Sequence, residues 1–280
     1  LKRRGDQNRT MRYWHFYISV SAIAVFGFLF YQDTLAHFAR NKYGRPDIAL
    51  ILLRRDANLA MWLGNYYFGA TIGKSEYDLE KAKKAFLSAV AMDPKILWGH
   101  YQLARIYFVQ GKRDKALEEI NKELEANPEN LRSLYVRGLI YGYRNKSGDL
   151  ELAENDFRRF THWAPKEWAG YNDLAWILSK QGKYSEAKES ISRAFREIAD
   201  ADSNPWLWNA LGVAELNLGE YPAAKASFEK AEKLAKNLTV SDWRRAYPGN
   251  DPITAEAGLA AFRKAIEDNI RRSRRVDNSL

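Results

Sequence analysis

The sequence predicts an all-α fold in which helical hairpins stack into a solenoid of about five repeats. A terminal capping helix closes the stack and one transmembrane helix precedes it. Three observations predict this. Ala82, Ala116, Ala153, Ala187 and Ala224 follow one another at spacings of 34, 37, 34 and 37 residues, and a period near 34 belongs to stacked helical hairpins. Gly111, Gly148, Gly182 and Gly219 each stand five residues before one of these alanines, where a first helix needs a left-handed cap. Residues 13–31 contain no Asp, Glu, Lys or Arg.

The apolar segment comes first. Nineteen residues, Tyr13 to Tyr31, would span roughly 28 Å as a helix, close to the hydrocarbon thickness of a bilayer. Aromatic residues crowd both ends, as they do at membrane interfaces. The basic segment 1–12 holds five cationic residues, whereas Arg40, Lys42 and Arg45 follow the span. The excess of cations before the span predicts a cytoplasmic N-terminus and extracytoplasmic repeats. The apolar core exceeds the 7–15 residues of a signal peptide, so the segment reads as an uncleaved single-pass anchor. Leu1 precedes Met11, so either the start differs or the chain is part of a longer one. Residues 32–46 read as a juxtamembrane linker.

The repeats occupy 47–236. Close packing of antiparallel helices needs small side chains where they cross. Gly64, Ala104, Gly138, Ala175 and Gly212 supply these on the first helices and the five alanines on the second. Phe86, Ile120, Phe157, Ile191 and Phe228 lie four residues after each alanine, on the same helical face. Pro94, Pro128 and Pro165 stand twelve residues after an alanine, where a second helix must stop. Two residues break the register: Arg137 replaces an apolar residue in the third unit, and Glu215 does so in the fifth. The array is expected to begin with a lone second helix near Asp47. Extra turn residues are expected at 71–78 and 144–148. After an aromatic loop at 237–252, a capping helix is expected over 253–275, with Asp251 as N-cap and an apolar stripe of Leu259, Phe262, Ile266 and Ile270. Residues 276–280 read as a tail.

On these residues the chain resembles a tetratricopeptide repeat (TPR) protein. The stretch from Leu97 to Asn130 carries most of that family's pattern in order, through Leu103, Ala104, Tyr107, Gly111, Ala116, Ile120 and Pro128. It departs at Glu123, where the family prefers alanine. The resemblance implies a concave groove lined by the first helix of each hairpin. The groove positions fall on Asn65, Trp98, Tyr101, Arg105, Phe108, Arg132, Tyr135, Tyr143, Asn172, Trp176, Lys180, Trp206 and Asn209. Rings offer contact area, amides pair with a peptide backbone and cations meet carboxylates. A protein or peptide partner is therefore expected there. Met61, Tyr101 and Tyr135 stand where the family's carboxylate clamp would place its first lysine, so that clamp is not reproduced.

Composition narrows the function. The net charge is +9, but it concentrates at the ends. Residues 1–12 hold five basic residues against one acidic residue, and residues 263–280 hold six against three. A nearly neutral body does not fit a groove for phosphates, and no nucleic-acid partner is expected. There is no cysteine. His15, His37, His100 and His162 are isolated from other metal-ligand residues on their own helices, so no metal or cofactor is expected. No nucleophile or phosphate-loop motif occurs. The expected role is a non-catalytic, membrane-anchored scaffold, similar in plan to bacterial envelope assembly factors. Two alternatives stay open: the C-terminal tail of a multi-span glycan polymerase or ligase of the O-antigen type, or a soluble secreted repeat protein left after cleavage.

Overall fold

Helices account for all the regular secondary structure in the computed structural model, which describes residues 2–69, 76–246 and 252–277. The chain divides into two units, Leu1–Ile96 and Leu97–Leu280.

The first unit holds α1 (Lys2–Tyr43), α2 (Pro46–Leu52), α3 (Ala57–Tyr67) and α4 (Leu79–Met92). No single helix among the described residues is long and apolar enough to cross a membrane. Tyr17–Phe28 and Tyr31–Tyr43 meet at a 58° bend, and only this bent pair has the length and composition for it. This departs from the single transmembrane helix expected over 13–31, and the second segment of the pair is packed within the protein. Residues 32–43, expected as a linker, continue α1 and pack on α2. Ala36 and Ala39 are buried there, Gln32 is buried with its amide oxygen accepting from Arg54 Nε, and Asp33 accepts the backbone N–H groups of Arg54 and Arg55. The lone starting helix expected near Asp47 therefore has a partner. Asp56 and Asp78 cap α3 and α4 by accepting the N–H groups of Leu59 and Lys81. The expected expanded turn at 71–78 lies largely outside the described residues.

The second unit continues with α5 (Gly99–Val109) and α6 (Arg113–Ala126), then α7 (Arg132–Arg144) and α8 (Asp149–Trp163). The hairpins α9 (Trp168–Lys180) with α10 (Tyr184–Glu197) and α11 (Pro205–Asn217) with α12 (Tyr221–Ala235) follow. Each pair packs internally and each second helix packs on the next first helix. Gly182 shows why the turns need glycine: its φ is +75°, a left-handed conformation that a side chain resists. All five register alanines are fully buried. At the crossings the small residues permit close approach. A Cβ built on Gly212 would lie 2.6 Å from Phe228, and one on Gly138 would lie 2.9 Å from Phe157.

Beyond α12, α13 (Val240–Ala246) leads toward a 3-10 turn at Pro252–Thr254 and α14 (Ala255–Asp277). Residues 247–251, with the expected N-cap Asp251, lie outside the described residues. α14 packs on α12 and touches α11, the relation a further first helix would have. Its stripe is covered: Leu259, Ile266 and Ile270 are buried and Phe262 is half-buried. Arg263 donates to the carbonyls of Ala235, Lys236 and Leu238.

The register breaks are matched by polar partners. Arg137 Nε and Nη2 donate to the buried Asp156 carboxylate at 2.7 and 2.8 Å, and this pair holds the guanidinium pKa above its ordinary value. Glu215 accepts from Ser227 Oγ at 2.7 Å. Glu123 is fully buried and accepts from the backbone of Trp98 and Tyr101 and from the amides of Asn127 and Asn130.

Candidate binding face of the first helices

The first helices of the second unit lie side by side, with α5 against α7, α7 against α9, and α9 against α11. Their shared face brings together some of the expected groove residues. Phe108, Tyr143 and Trp176 form a row of rings across α5, α7 and α9, with centroids 5.5 Å apart at the first step and 4.9 Å at the second. A second row joins Trp168, Trp206 and Phe262, stacked at 5.1 and 5.6 Å.

Between these rows lies a cavity of about 250 Å³. Of the expected residues it takes Tyr143, Asn172, Trp176, Trp206 and Asn209. Leu139, Ala175, Ala210 and Val213 fill the apolar parts of its wall. Asn209 Oδ1 accepts from Asn269 Nδ2 of α14 at 3.3 Å, which fixes the amide at that end. The Trp206 indole N–H is buried and has no acceptor.

Other expected residues lie elsewhere. Asn65 is half-buried on α3 in the first unit. Tyr101 is buried, edge-on to Trp98 at 5.0 Å, with Arg105 over its ring at 5.8 Å. Tyr135 is buried against Phe160 at 5.0 Å. Arg132 pairs with Glu167 at 3.1 Å. Lys180 Nζ donates to the Gly142 carbonyl at 2.8 Å and sits 5.1 Å over the Trp176 ring. Burial lowers its pKa.

The lining residues that the sequence did not place in the groove include Trp243, Phe262 and above all Asp173. Asp173 is 4% exposed. Its Oδ2 accepts from Tyr135 Oη at 2.7 Å and its Oδ1 from Asn172 Nδ2 at 2.9 Å. Burial dominates and raises its pKa to about 6, although both hydrogen bonds favour the ionised form. Among the described residues no cation pairs with it. The signal in the sequence was an aspartate inside an apolar helix, next to a groove amide.

Two histidines do find carboxylates, each on a different helix. His37 meets Asp56 at 2.6 Å and His100 meets Glu119 at 2.7 Å. No group of three metal-ligand side chains occurs among the described residues.

Comparisons with known proteins agree with the helical-hairpin fold. Residues 101–142 and 172–238 match the family model of the tetratricopeptide repeat, so these stretches are tetratricopeptide repeats. Superkiller complex protein 3 of Mus musculus is 28% identical over 221 residues, covering 73% of this chain. The mitochondrial tetratricopeptide repeat protein 19 homolog of Drosophila melanogaster is 25% identical over 60% of this chain. The chain spans 13% of the length of the mouse protein and 43% of the fly protein. Among solved structures, PilW, a type IV pilus biogenesis factor, aligns with 75% of this chain and 94% of its own at a TM-score of 0.57 and 19% identity. YrrB, a TPR protein with an unusual peptide-binding site, aligns with 69% of this chain and 93% of its own at 0.54 and 17% identity. At these identities the likeness is one of fold.

Proposed function

We propose that this tetratricopeptide-repeat chain is a non-catalytic adaptor, anchored to a membrane, that receives an extended segment of a partner protein on the first-helix face. The observation that carries this is the ring-lined cavity flanked by Asn172 and Asn209. Both amides stand at the same position of successive hairpins, where each can pair with the backbone of an extended guest. Rings supply desolvated area and amides supply register. YrrB, as described above, has a peptide-binding site of its own, and its fold is the one found here.

Membrane attachment rests on α1. The aromatic and β-branched side chains from Tyr17 to Phe28 are exposed, including Ile23 at 71% and Phe26 at 70%. Such a surface favours lipid over water. The excess of cations before it supports a cytoplasmic N-terminus with the repeats beyond the membrane. Anchoring raises the local concentration of a weakly bound partner without any new contact.

The test is photo-crosslinking from Tyr143 and Trp176 of the full chain in native membranes. The captured set should shrink in the Asn172→Ala, Asn209→Ala double variant. An unchanged set rules out the assignment of this face.

A further inference from the structure

Resting on that reading of the face, we infer that the cavity over Asp173 takes the basic side chain of the partner segment, with its charge held between the Tyr143 and Trp176 rings and the Asp173 carboxylate. The cavity is small. At about 250 Å³ it lies below the roughly 300–1,000 Å³ of sites for whole small molecules, so it fits one side chain of a larger guest. Its walls are aromatic, and ring faces attract cations, more strongly where water is excluded. Its polar floor is a carboxylate, Asp173, that meets two neutral donors and, among the described residues, no cation.

Each other class of guest is disfavoured by the same floor. An acidic side chain would bring a second carboxylate onto Asp173, and like charges at contact distance resist joint ionisation. An aliphatic side chain would complete the burial of Asp173 with nothing to offset its charge. A guanidinium or ammonium group offsets that charge and uses the rings as well. Lys180, which follows the lining residue Ser179 on α9, donates to the Gly142 carbonyl and sits 5.1 Å over the Trp176 ring. It stands seven residues from Asp173 along α9, roughly 10 Å of helix rise, and makes no ion pair with it.

The test uses the full chain and three pentapeptides, acetyl-Ala-Ala-Xaa-Ala-Ala-amide, with arginine, norleucine or glutamate at the centre, titrated by calorimetry at pH 7.5. The arginine peptide should bind about tenfold tighter than the norleucine peptide, and the glutamate peptide should bind weakest. Asp173→Asn should bring the arginine-to-norleucine ratio close to one. Its carboxamide oxygen still accepts from Tyr135, and far-ultraviolet circular dichroism checks its fold. Trp176→Leu, which keeps the carboxylate, should lower that ratio as well. Equal binding of arginine and norleucine peptides, an unaltered ratio in Asp173→Asn, or no saturable binding of the arginine peptide overturns the inference. Equal binding that is lost in the Asn172→Ala, Asn209→Ala variant overturns the basic guest and leaves the binding face standing. Crosslinking indifferent to those two amides removes the face itself.

Discussion

Glu123, buried at the crossing of α6 and α5, accepts the backbone N–H of Trp98 at 3.0 Å, and Trp98 itself holds a left-handed φ of +71°. One carboxylate therefore caps the start of α5 and ties both asparagines of the turn between α6 and α7. Replacing Glu123 with the alanine that the repeat pattern prefers strands the N–H groups of Trp98 and Tyr101 and the amide of Asn130. Glu123→Ala should lower unfolding stability by about 2–4 kcal/mol in urea denaturation. A loss under ~0.5 kcal/mol would mean that water replaces the cap.

The Arg137–Asp156 pair calls for a double-mutant cycle. Arg137→Leu restores the apolar residue of the register but leaves Asp156, 1% exposed, without its cation. The single change should cost about 3 kcal/mol. Adding Asp156→Ala should recover most of that loss. Additive losses would show that the two residues act independently.

Asp173 makes stability depend on pH. Its pKa in the folded chain is about 6, above the ordinary carboxylate value. The folded state therefore holds this proton more tightly than the unfolded state does. The stabilisation is complete below the unfolded pKa, near 4, and is lost as pH rises through 6. Among the described residues, the titratable groups that interact with it are Tyr135, which donates to it, and Tyr143, both of α7. Relative to Asp173→Asn, the unaltered chain should lose about 3 kcal/mol between pH 4 and pH 7. Parallel stability curves for the two proteins would contradict this.

The crossing glycines predict steric losses. A Cβ at Gly212 meets the Phe228 ring at 2.6 Å, and that ring is fully buried. Gly212→Ala should destabilise by about 1–3 kcal/mol despite alanine's better helix propensity. Thermal melting reads this directly, and a stabilised variant would show that the ring can withdraw.

The exposed apolar surface of α1 predicts lipid binding. The full chain should float with phosphatidylcholine–phosphatidylglycerol vesicles, and Ile23→Asp with Phe26→Asp should abolish flotation. Flotation that survives both changes would move the attachment elsewhere.

The repeat period made the hairpins legible because a 34-residue unit repeats one packing problem, so Ala82, Ala116 and Phe228 read as core before any coordinate was known. Glu123, Arg137 and Glu215 were legible only as departures. Their partners at other helices lie twelve to twenty-five residues away, and no local pattern points to Asp156 or Ser227. Residues 32–43 read as linker because their buried face is Gln32, Ala36 and Ala39, too weakly apolar to announce a helix that packs. In the candidate site the rings and amides were visible from their positions. Tyr101 and Tyr135 share those positions yet turn inward, since a tyrosine on a first helix can serve the neighbouring hairpin instead. Asp173 stayed hidden because its setting is made by Tyr135, thirty-eight residues earlier.

Arg263 plugs the end of α12 through three carbonyl oxygens. In a chain whose hairpins lean only on their neighbours, such a plug acts as a zipper stop. Arg263→Ala should let fraying start at α12 and run inward toward the Trp206 stack, so that amides in the last hairpin exchange with deuterium before those of α7 and α8.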